Sequence, residues 1–182
     1  QGEGAVTVAA QEKGTATVRL KVDQPQLWSL EDLQLYKLRV TLRLNGEAID
    51  RCEECFGFRS IRFSAKNGFL LNGKRVKIKG TCCHQDFAGV GVAVPPALQE
   101  RRVLQLKALG CNAIRTSHNM PDPALLDACD KHGMLIMEET RLPGCAEELL
   151  RDVADTIRRD RNHPCVILWS LANEEPIMTT AV

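Results

Sequence analysis

Residues 111–139, CNAIRTSHNMPDPALLDACDKHGMLIMEE, decide the fold. The stretch opens with a short run at 111–116 that is predicted to be a strand, and it closes with the all-apolar run 134–137, which is typical of a strand buried on both faces. Between the two runs, the pair Asp122-Pro123 predicts a helix N-cap and first turn, and Gly133 predicts the helix C-terminus. A strand, a helix and a strand with short connections predict parallel pairing through a right-handed crossover.

The same alternation extends in both directions from this central unit. The further predicted elements are a strand over 75–79 ending at Gly80, a helix over 98–109 closed by Gly110, a third helix marked by Leu150, Val153 and Ile157 and ended by Pro164, and a strand over 166–171. The total is four parallel strands with three helices between them. Parallel barrels have eight strands, and doubly wound sheets usually have five or more. Residues 64–182 are therefore predicted to be the first half of a larger α/β domain.

The N-terminal third has a different pattern. Residues 16–22 and 36–44 alternate apolar and polar side chains, as strands of a half-buried antiparallel sheet do. Asn45-Gly46 follows the second run and predicts a hairpin, since both residues tolerate positive φ. Residues 1–63 are therefore predicted to form a β-sandwich or the end of one.

The composition excludes several classes of protein. Of the 182 residues 44% are hydrophobic and 26% charged, and the net charge of +1 gives no reason to expect nucleic acid or an anionic membrane as a partner. Eight cysteines include one C-x-x-C pair, Cys52 and Cys55, without the second pair that a structural zinc site needs. Buried or free thiols are predicted, with metal or redox use as the alternative. This favours a reducing cytoplasmic compartment, with a secreted parent as the alternative.

Ionisable or amide side chains follow all four predicted parallel strands. The residues are His84 and Asp86 after the first strand, Arg115 and His118 at the second, Glu138, Glu139 and Arg141 at the third, and Asn173 and Glu174 at the fourth. The carboxyl ends of parallel strands share one rim, where functional groups lie in α/β barrels. Carboxylates and imidazoles without a metal or phosphate motif indicate sugar chemistry, since glycoside cleavage uses a pair of carboxyl groups. Alternation alone leaves open whether Glu138 or Glu139 faces the barrel interior.

Several of these segments resemble glycoside hydrolase family 2, the β-galactosidase and β-glucuronidase family. Residues 159–174, RDRNHPCVILWSLANE, resemble its acid/base segment, and residues 110–119, GCNAIRTSHN, resemble its second barrel strand. Further similarity lies in residues 72–80, which look like the barrel entry, in 26–30 and 57–59, which look like the end of the family's immunoglobulin-like domain, and in 84–95, which are similar to bacterial members usually called β-galactosidases.

The resemblance implies an immunoglobulin-like β-sandwich over residues 1–63, joined to the N-terminal half of a (β/α)8 TIM barrel over 64–182. It implies a retaining hydrolase of terminal β-glycosides, β-galactosides first, that has Glu174 as general acid/base. The implied substrate-binding residues are Asn173, His118, Arg115, His84, Glu139, Arg141 and Asp86. No cofactor is implied, although a full-length parent could hold a divalent or monovalent cation.

The family's nucleophile is a second glutamate on a later barrel strand, whereas this sequence stops at Val182. We therefore expect the isolated chain to be inactive. Half a barrel exposes sheet edges and an apolar interior, so we expect either self-association or completion by the remainder of the barrel. The alternatives are a β-glucuronidase-type parent and a non-catalytic fragment that binds carbohydrate or another subunit. His163 is predicted to be structural.

Overall fold

The computed structural model describes residues 1–142 and 144–173. Its elements, in chain order, are β1 (Tyr36–Leu44), β2 (Glu47–Phe56), β3 (Ile61–Ser64), β4 (Gly68–Leu71), β5 (Lys74–Arg75), β6 (Gly80–Cys83), α1 (Pro96–Ala108), β7 (Ala113–Thr116), α2 (Pro123–His132), β8 (Leu135–Glu139), α3 (Glu147–Asp160) and β9 (Val166–Ser170). Each of these helices is too short or too polar to cross a bilayer.

The four strands β6 to β9 form one parallel sheet in sequential order. Each successive pair is joined through a helix, as the central sequence unit predicts. The N-terminus of α2 is capped by Asp122, whose side chain accepts from the Ala124 N–H at 2.8 Å, and Gly133 ends the helix with φ of 69°. The predicted alternation of strands and helices is therefore confirmed over the described residues.

The strand predicted over residues 75–79 is wrong: Arg75 belongs to the antiparallel β5, and the first parallel strand, β6, covers Gly80–Cys83. Residues 77–79, which fall within the predicted strand 75–79, bond instead to the side chain of Asn112. Its Nδ2 donates to the Lys77 carbonyl at 2.9 Å, and its Oδ1 accepts from the Lys79 N–H at 2.7 Å. Because a side chain takes these backbone groups, ladder pairing starts only at Gly80, opposite Ala113.

Residues 36–75 form two small antiparallel sheets. β1 and β2 pair antiparallel around Asn45 and Gly46, which have φ values of 52° and 89°, so the predicted hairpin is confirmed. β3, β4 and β5 form a second antiparallel sheet, which turns at Asn72-Gly73.

The strand predicted over residues 16–22 is wrong, because that segment has no strand ladder. Alternation predicts a face that another layer covers. Here that face stays open to solvent, and the side chains of Val18, Leu20 and Val22 are 43–47% exposed. The immunoglobulin-like sandwich over residues 1–63 stays a prediction.

One hydrophobic core joins the N-terminal third to the parallel sheet. Trp28 is fully buried in it, and its Nε1 donates to the Asp130 carbonyl on α2 at 2.9 Å. The core residues around Trp28 come from β4, α1, α2 and all of β7 to β9, and they include Phe69, Leu71, Val103, Ile114, Leu126, Leu135, Ile136, Cys165 and Ile167. All eight cysteines are free thiols; Cys129 and Cys165 are buried, and Cys111 is half-buried.

Candidate active site

Polar side chains from three neighbouring strands converge on Glu139 at the end of β8. Its carboxyl group is fully buried, and Oε2 accepts from Arg115 on β7, with Nε at 2.7 Å and Nη2 at 2.6 Å. Oε1 lies 2.5 Å from Nδ1 of His118, just beyond β7. The hydroxyl of Ser170 on β9 donates to Oε2 at 3.2 Å. Both carboxyl oxygens of Glu139 are therefore engaged by groups from adjacent strands.

These contacts set the charge of Glu139. Burial raises the pKa of a carboxyl group, but hydrogen bonds from His118 and Arg115 outweigh burial here and hold the pKa of Glu139 below its usual value. Glu139 is therefore ionised at neutral pH, and the guanidinium of Arg115 balances its charge.

Asn173 joins the same network from beyond β9. Its Oδ1 accepts from Nη2 of Arg115 at 2.6 Å. With the carbonyl oxygen engaged, the amide NH₂ is the donor that Asn173 can offer to a sugar hydroxyl. Arg115 thus bridges the carboxylate at the end of β8 to an amide beyond β9, and with His118 four of the predicted site residues form one hydrogen-bonded unit.

A polar cavity of about 440 Å³ lies beside this network. Its lining includes four predicted site residues, His84, Asp86, His118 and Arg141, together with Gln85, Val92, Ser117 and Asn119. The rings of His84 and His118 meet edge to face at 5.4 Å, and Nη1 of Arg141 donates to the His118 carbonyl at 3.4 Å. The structure thus brings all seven predicted substrate-binding residues to one rim; that they bind substrate stays a prediction.

Glu174, the predicted acid/base, lies outside the described residues. The preceding residue, Asn173, is described, so the rim is defined up to the position before Glu174. Its role stays a prediction.

Sequence reasoning missed three residues that shape the rim. Thr116 accepts the Glu139 N–H at 3.0 Å through its hydroxyl, and Ser170 contacts the Glu139 carboxylate. Arg102 on α1 holds the loop after β6 by donating to the carbonyls of His84 at 3.3 Å and Asp86 at 2.5 Å. The register pairs Ser170 with Glu139 on one face of the sheet, which no single strand reveals.

Glu138 faces the opposite side of the sheet from Glu139, which resolves the alternative that alternation left open. Its side chain is buried near Asp160 on α3, and burial together with that carboxyl raises the pKa of Glu138 to about 9. Arg159 binds both oxygens of Asp160 at 2.6 Å and donates to the Pro121 carbonyl at 2.8 Å. Glu138 is therefore a buried neutral acid in the outer layer.

The C-x-x-C pair does not form a chelating site. Cys52 pairs opposite Val40 and Cys55 opposite Lys37, and residues three apart in a strand point to opposite faces. Over residues 1–142 and 144–173, no cluster of three or more His, Cys, Asp or Glu side chains has metal-binding geometry.

Two family models match the chain. Residues 63–151 and 143–181 match "Glycosyl hydrolases family 2, TIM barrel domain", and residues 1–59 match "Glycosyl hydrolases family 2". A β-galactosidase of Bacteroides ovatus is 42% identical over 170 residues, which are 87% of this chain and 20% of that protein. A putative β-glucuronidase of Formosa agariphila is 38% identical over 87% of this chain and 16% of its own length.

Solved structures agree with the sequence matches. A glycosyl hydrolase family 2 member from Bacteroides cellulosilyticus superposes with a TM-score of 0.79 at 41% identity, over 86% of this chain and 22% of that one. The Parabacteroides merdae β-glucuronidase gives a TM-score of 0.78 at 34% identity, over 85% and 20%. This chain spans about a fifth of the length of these relatives. Over the part it spans, the chain belongs to glycoside hydrolase family 2.

Proposed function

We propose that this chain carries the acid/base half of the active site of a retaining glycoside hydrolase that cleaves terminal β-glycosides, β-galactosides first. Its fold in that enzyme would be an immunoglobulin-like unit followed by the N-terminal half of a (β/α)8 barrel. The observation that carries the proposal is the hydrogen-bonded unit of Arg115, Glu139, His118 and Asn173 at the carboxyl end of the parallel sheet. Such a unit presents donors and acceptors that match sugar hydroxyls.

Glu174 is the proposed proton donor to the leaving oxygen. It follows Asn173 directly in the sequence, and Asn173 is bound to Arg115 at the rim. General acid/base groups of this kind contribute about 10²–10⁴-fold to rate.

Glu139 is unsuited to act as the nucleophile. Its two oxygens accept hydrogen bonds from Arg115, His118 and Ser170, which stabilise the carboxylate and lower its nucleophilicity. Its proposed role is to orient Arg115 and His118 toward the sugar. Retaining enzymes need the two catalytic carboxyls about 5–5.5 Å apart. We propose that the nucleophile comes from a segment outside these 182 residues.

The charged side chains that line the cavity affect which sugar it would accept, a neutral sugar or a uronate. Asp86 offers a carboxylate, which accepts hydrogen bonds from neutral sugar hydroxyls and repels a uronate. Arg141 lines the same cavity and would attract a uronate, which favours a second candidate, β-glucuronides. The named relatives include both activities.

The deciding experiment uses a protein of full family length that contains this chain. Hydrolysis of an aryl β-galactoside and an aryl β-glucuronide is measured for the unaltered protein, for Glu174→Gln, and for Glu175→Gln as the matched neighbour. We expect Glu174→Gln to lose about 10²–10⁴-fold in kcat and Glu175→Gln to lose little. Equal losses in both variants would refute the role of Glu174. The 182-residue chain alone is expected to be no faster than its own Glu174→Gln variant.

We also propose that the open side of the sheet is covered either by the rest of a barrel or by a second copy. β6 and β9 are the outer strands of the four-stranded sheet, and Leu168, on the face that carries Ser170, is 37% exposed. Light scattering on the isolated chain is expected to show self-association at micromolar concentration. A stable monomer would contradict this and favour a chain that needs no completion.

A further inference from the structure

The pairing of β8 with β9 contains a one-residue register shift. Ile136 pairs with Val166, whereas the next residue of β8, Met137, pairs with Leu168. Ile167 is therefore an extra residue in β9, a bulge. Because side chains alternate between faces with a period of two, one extra residue moves every later side chain of β9 to the other face.

This bulge decides what lies beside Glu139. With it, Ser170 pairs with Glu139, and the Ser170 hydroxyl reaches the carboxylate. In an unbroken ladder that starts from the same Ile136–Val166 pair, Trp169 would take that position and Ser170 would face the outer layer. Asn173 lies three residues beyond Ser170, so its contact with Arg115 depends on the same register.

Arg59 donates a hydrogen bond at the residue where the register shifts. Its Nη2 lies 2.7 Å from the carbonyl oxygen of Val166, 107 residues away in the sequence. Val166 is buried, and a buried carbonyl without a donor is costly. The Cys165 carbonyl accepts from the Ile136 N–H of β8, so the Val166 carbonyl, one residue further on, lies on the other edge of β9, where no described strand pairs. Arg59 supplies the donor there and fixes the peptide that immediately precedes the bulge.

Other contacts from the N-terminal third reach the same connection between α3 and β9. Glu54 accepts from Asn162 at 3.1 Å, and Gly57 packs so closely on Pro164 that a methyl group there would lie 2.7 Å from its Cγ. Trp28 donates to the backbone carbonyl of Asp130. The side chain of Asp130 in turn accepts the Cys165 N–H through Oδ1 at 2.9 Å. The start of β9 is therefore held from the N-terminal third at several points.

We propose that Arg59 is a positioning residue that holds the bulge at Ile167, and so selects the register that brings Ser170 to Glu139 and Asn173 to Arg115. A residue of the N-terminal third thereby determines which face of the sheet each later side chain of β9, the strand before Glu174, occupies. The effect on catalysis rests on the function proposed above, whereas the effect on register does not.

The direct test is the register of β9 in Arg59→Met, a variant that keeps much of the side-chain volume and removes the donor. It is made in a protein of full family length that contains this chain, with Arg62→Met, an exposed arginine on β3, as the matched control. We expect the amides of residues 168–170 to exchange with deuterium at least about tenfold faster in Arg59→Met, to be unchanged in Arg62→Met, and to be intermediate in Arg59→Lys. A crystal structure of Arg59→Met with Ser170 still paired to Glu139 would overturn the proposal.

Deletion of Ile167 supplies the second test. It still tests the proposal if Arg59→Met does not fold. Removing Ile167 lets Leu168 follow Val166 directly, so a regular ladder reaches the native pairing without a bulge. Because Ile167 is itself a buried core residue, the deletion variant with Arg59 intact is the reference for every measurement in this background. Arg59→Met is expected to lower kcat about 10²-fold in the native background, since a misplacement of about 1 Å can cost that much. In the deletion background the loss should shrink to about threefold or less, and a misfolded Arg59→Met should regain its fold. Equal losses in both backgrounds, or no regain, would overturn the proposal. If the unaltered protein hydrolyses no glycoside, the proposed function fails while the exchange pattern still decides the role of Arg59.

Discussion

Nδ1 of His118, just beyond β7, lies 2.5 Å from Oε1 of Glu139 at the end of the neighbouring strand β8. The contact is partly exposed on the histidine side and fully buried on the carboxylate side. It fixes the imidazole at the rim of the cavity. The stability of this contact is measurable in the chain itself, without any substrate.

Glu139→Gln is expected to destabilise the chain. Breaking a fully buried ion pair costs about 3–5 kcal/mol, and the cost here should be nearer 2 kcal/mol, since Arg115 keeps 28% of its side chain in solvent. The pKa of Glu139 is lowered in the folded state, so its stabilising contribution is present above the ordinary carboxyl pKa and is lost as pH falls through the folded value. Urea unfolding at pH 7 and pH 3.5 should therefore show a smaller pH effect in the variant. Glu148→Gln, at an exposed site on α3, is the control; an equal change in that control would contradict the prediction.

Glu138→Gln is expected to stabilise the chain at alkaline pH, whereas Glu139→Gln destabilises it. The folded pKa of about 9 means that folded Glu138 keeps a proton which the unfolded chain releases near the ordinary carboxyl pKa of 4.5. Stability therefore falls as pH rises through this window. The variant cannot ionise, so at pH 8 its free energy of unfolding, measured with urea, should exceed that of the native chain by at least about 1 kcal/mol. At pH 5 the two free energies of unfolding should differ little. Lower stability of the variant at pH 8 would show that Glu138 is ionised in the fold.

His163→Gln should remove a different pH dependence. Nδ1 of His163 lies 2.6 Å from Oδ2 of Asp130, and although burial alone would lower the pKa of His163, the bond and charge of Asp130 raise it above 6.5. A raised histidine pKa adds stability that is full below the unfolded pKa and is lost as pH rises through the folded value. The stability difference between native chain and variant should therefore be larger at pH 6 than at pH 8.5. An equal difference at both values would mean that the ring stays neutral.

Gly133→Ala should be far more harmful than Gly110→Ala, although both glycines follow a helix with positive φ. A methyl group on Gly133 would lie 2.5 Å from the Leu30 carbonyl oxygen, whereas nothing lies within 4 Å of one on Gly110. Strain at φ costs both variants about 1 kcal/mol. The clash should add at least about 2 kcal/mol at Gly133, measured by thermal or urea unfolding. Equal losses would show that the Leu30 segment moves away readily.

Local signals predicted a large part of the fold. Asn45-Gly46 and Asp122-Pro123 each act on their own few residues, through positive φ and through capping, so the hairpin and the start of α2 follow from the sequence alone. The start of β6 does not follow, because the side chain of Asn112, more than thirty residues away, takes the backbone groups ahead of it. Residues 16–22 were wrongly predicted for a different reason. Alternation indicates an apolar face, but it does not indicate whether another layer covers that face.

The candidate site divides in the same way. The rule that strand ends share one rim predicted that His84, Arg115 and Asn173 lie together, with either Glu138 or Glu139 beside them. Ser170 and Thr116 could not be found like this, because their contacts with Glu139 depend on register between strands and, for Ser170, on the bulge in β9. The choice between Glu138 and Glu139 likewise needed the orientation of one strand against its neighbours.

The carboxylate of Glu139 is held by donors from β7 and β9 as well as by the loop after β7, so the rim is assembled in the same event that folds the sheet. A sugar that binds there meets side chains whose rotational freedom is already lost, and little further entropy has to be given up on binding. Ligand affinity and thermal resistance are consequently coupled: any saccharide that occupies the rim should raise the melting temperature in proportion to the logarithm of its concentration over its Kd.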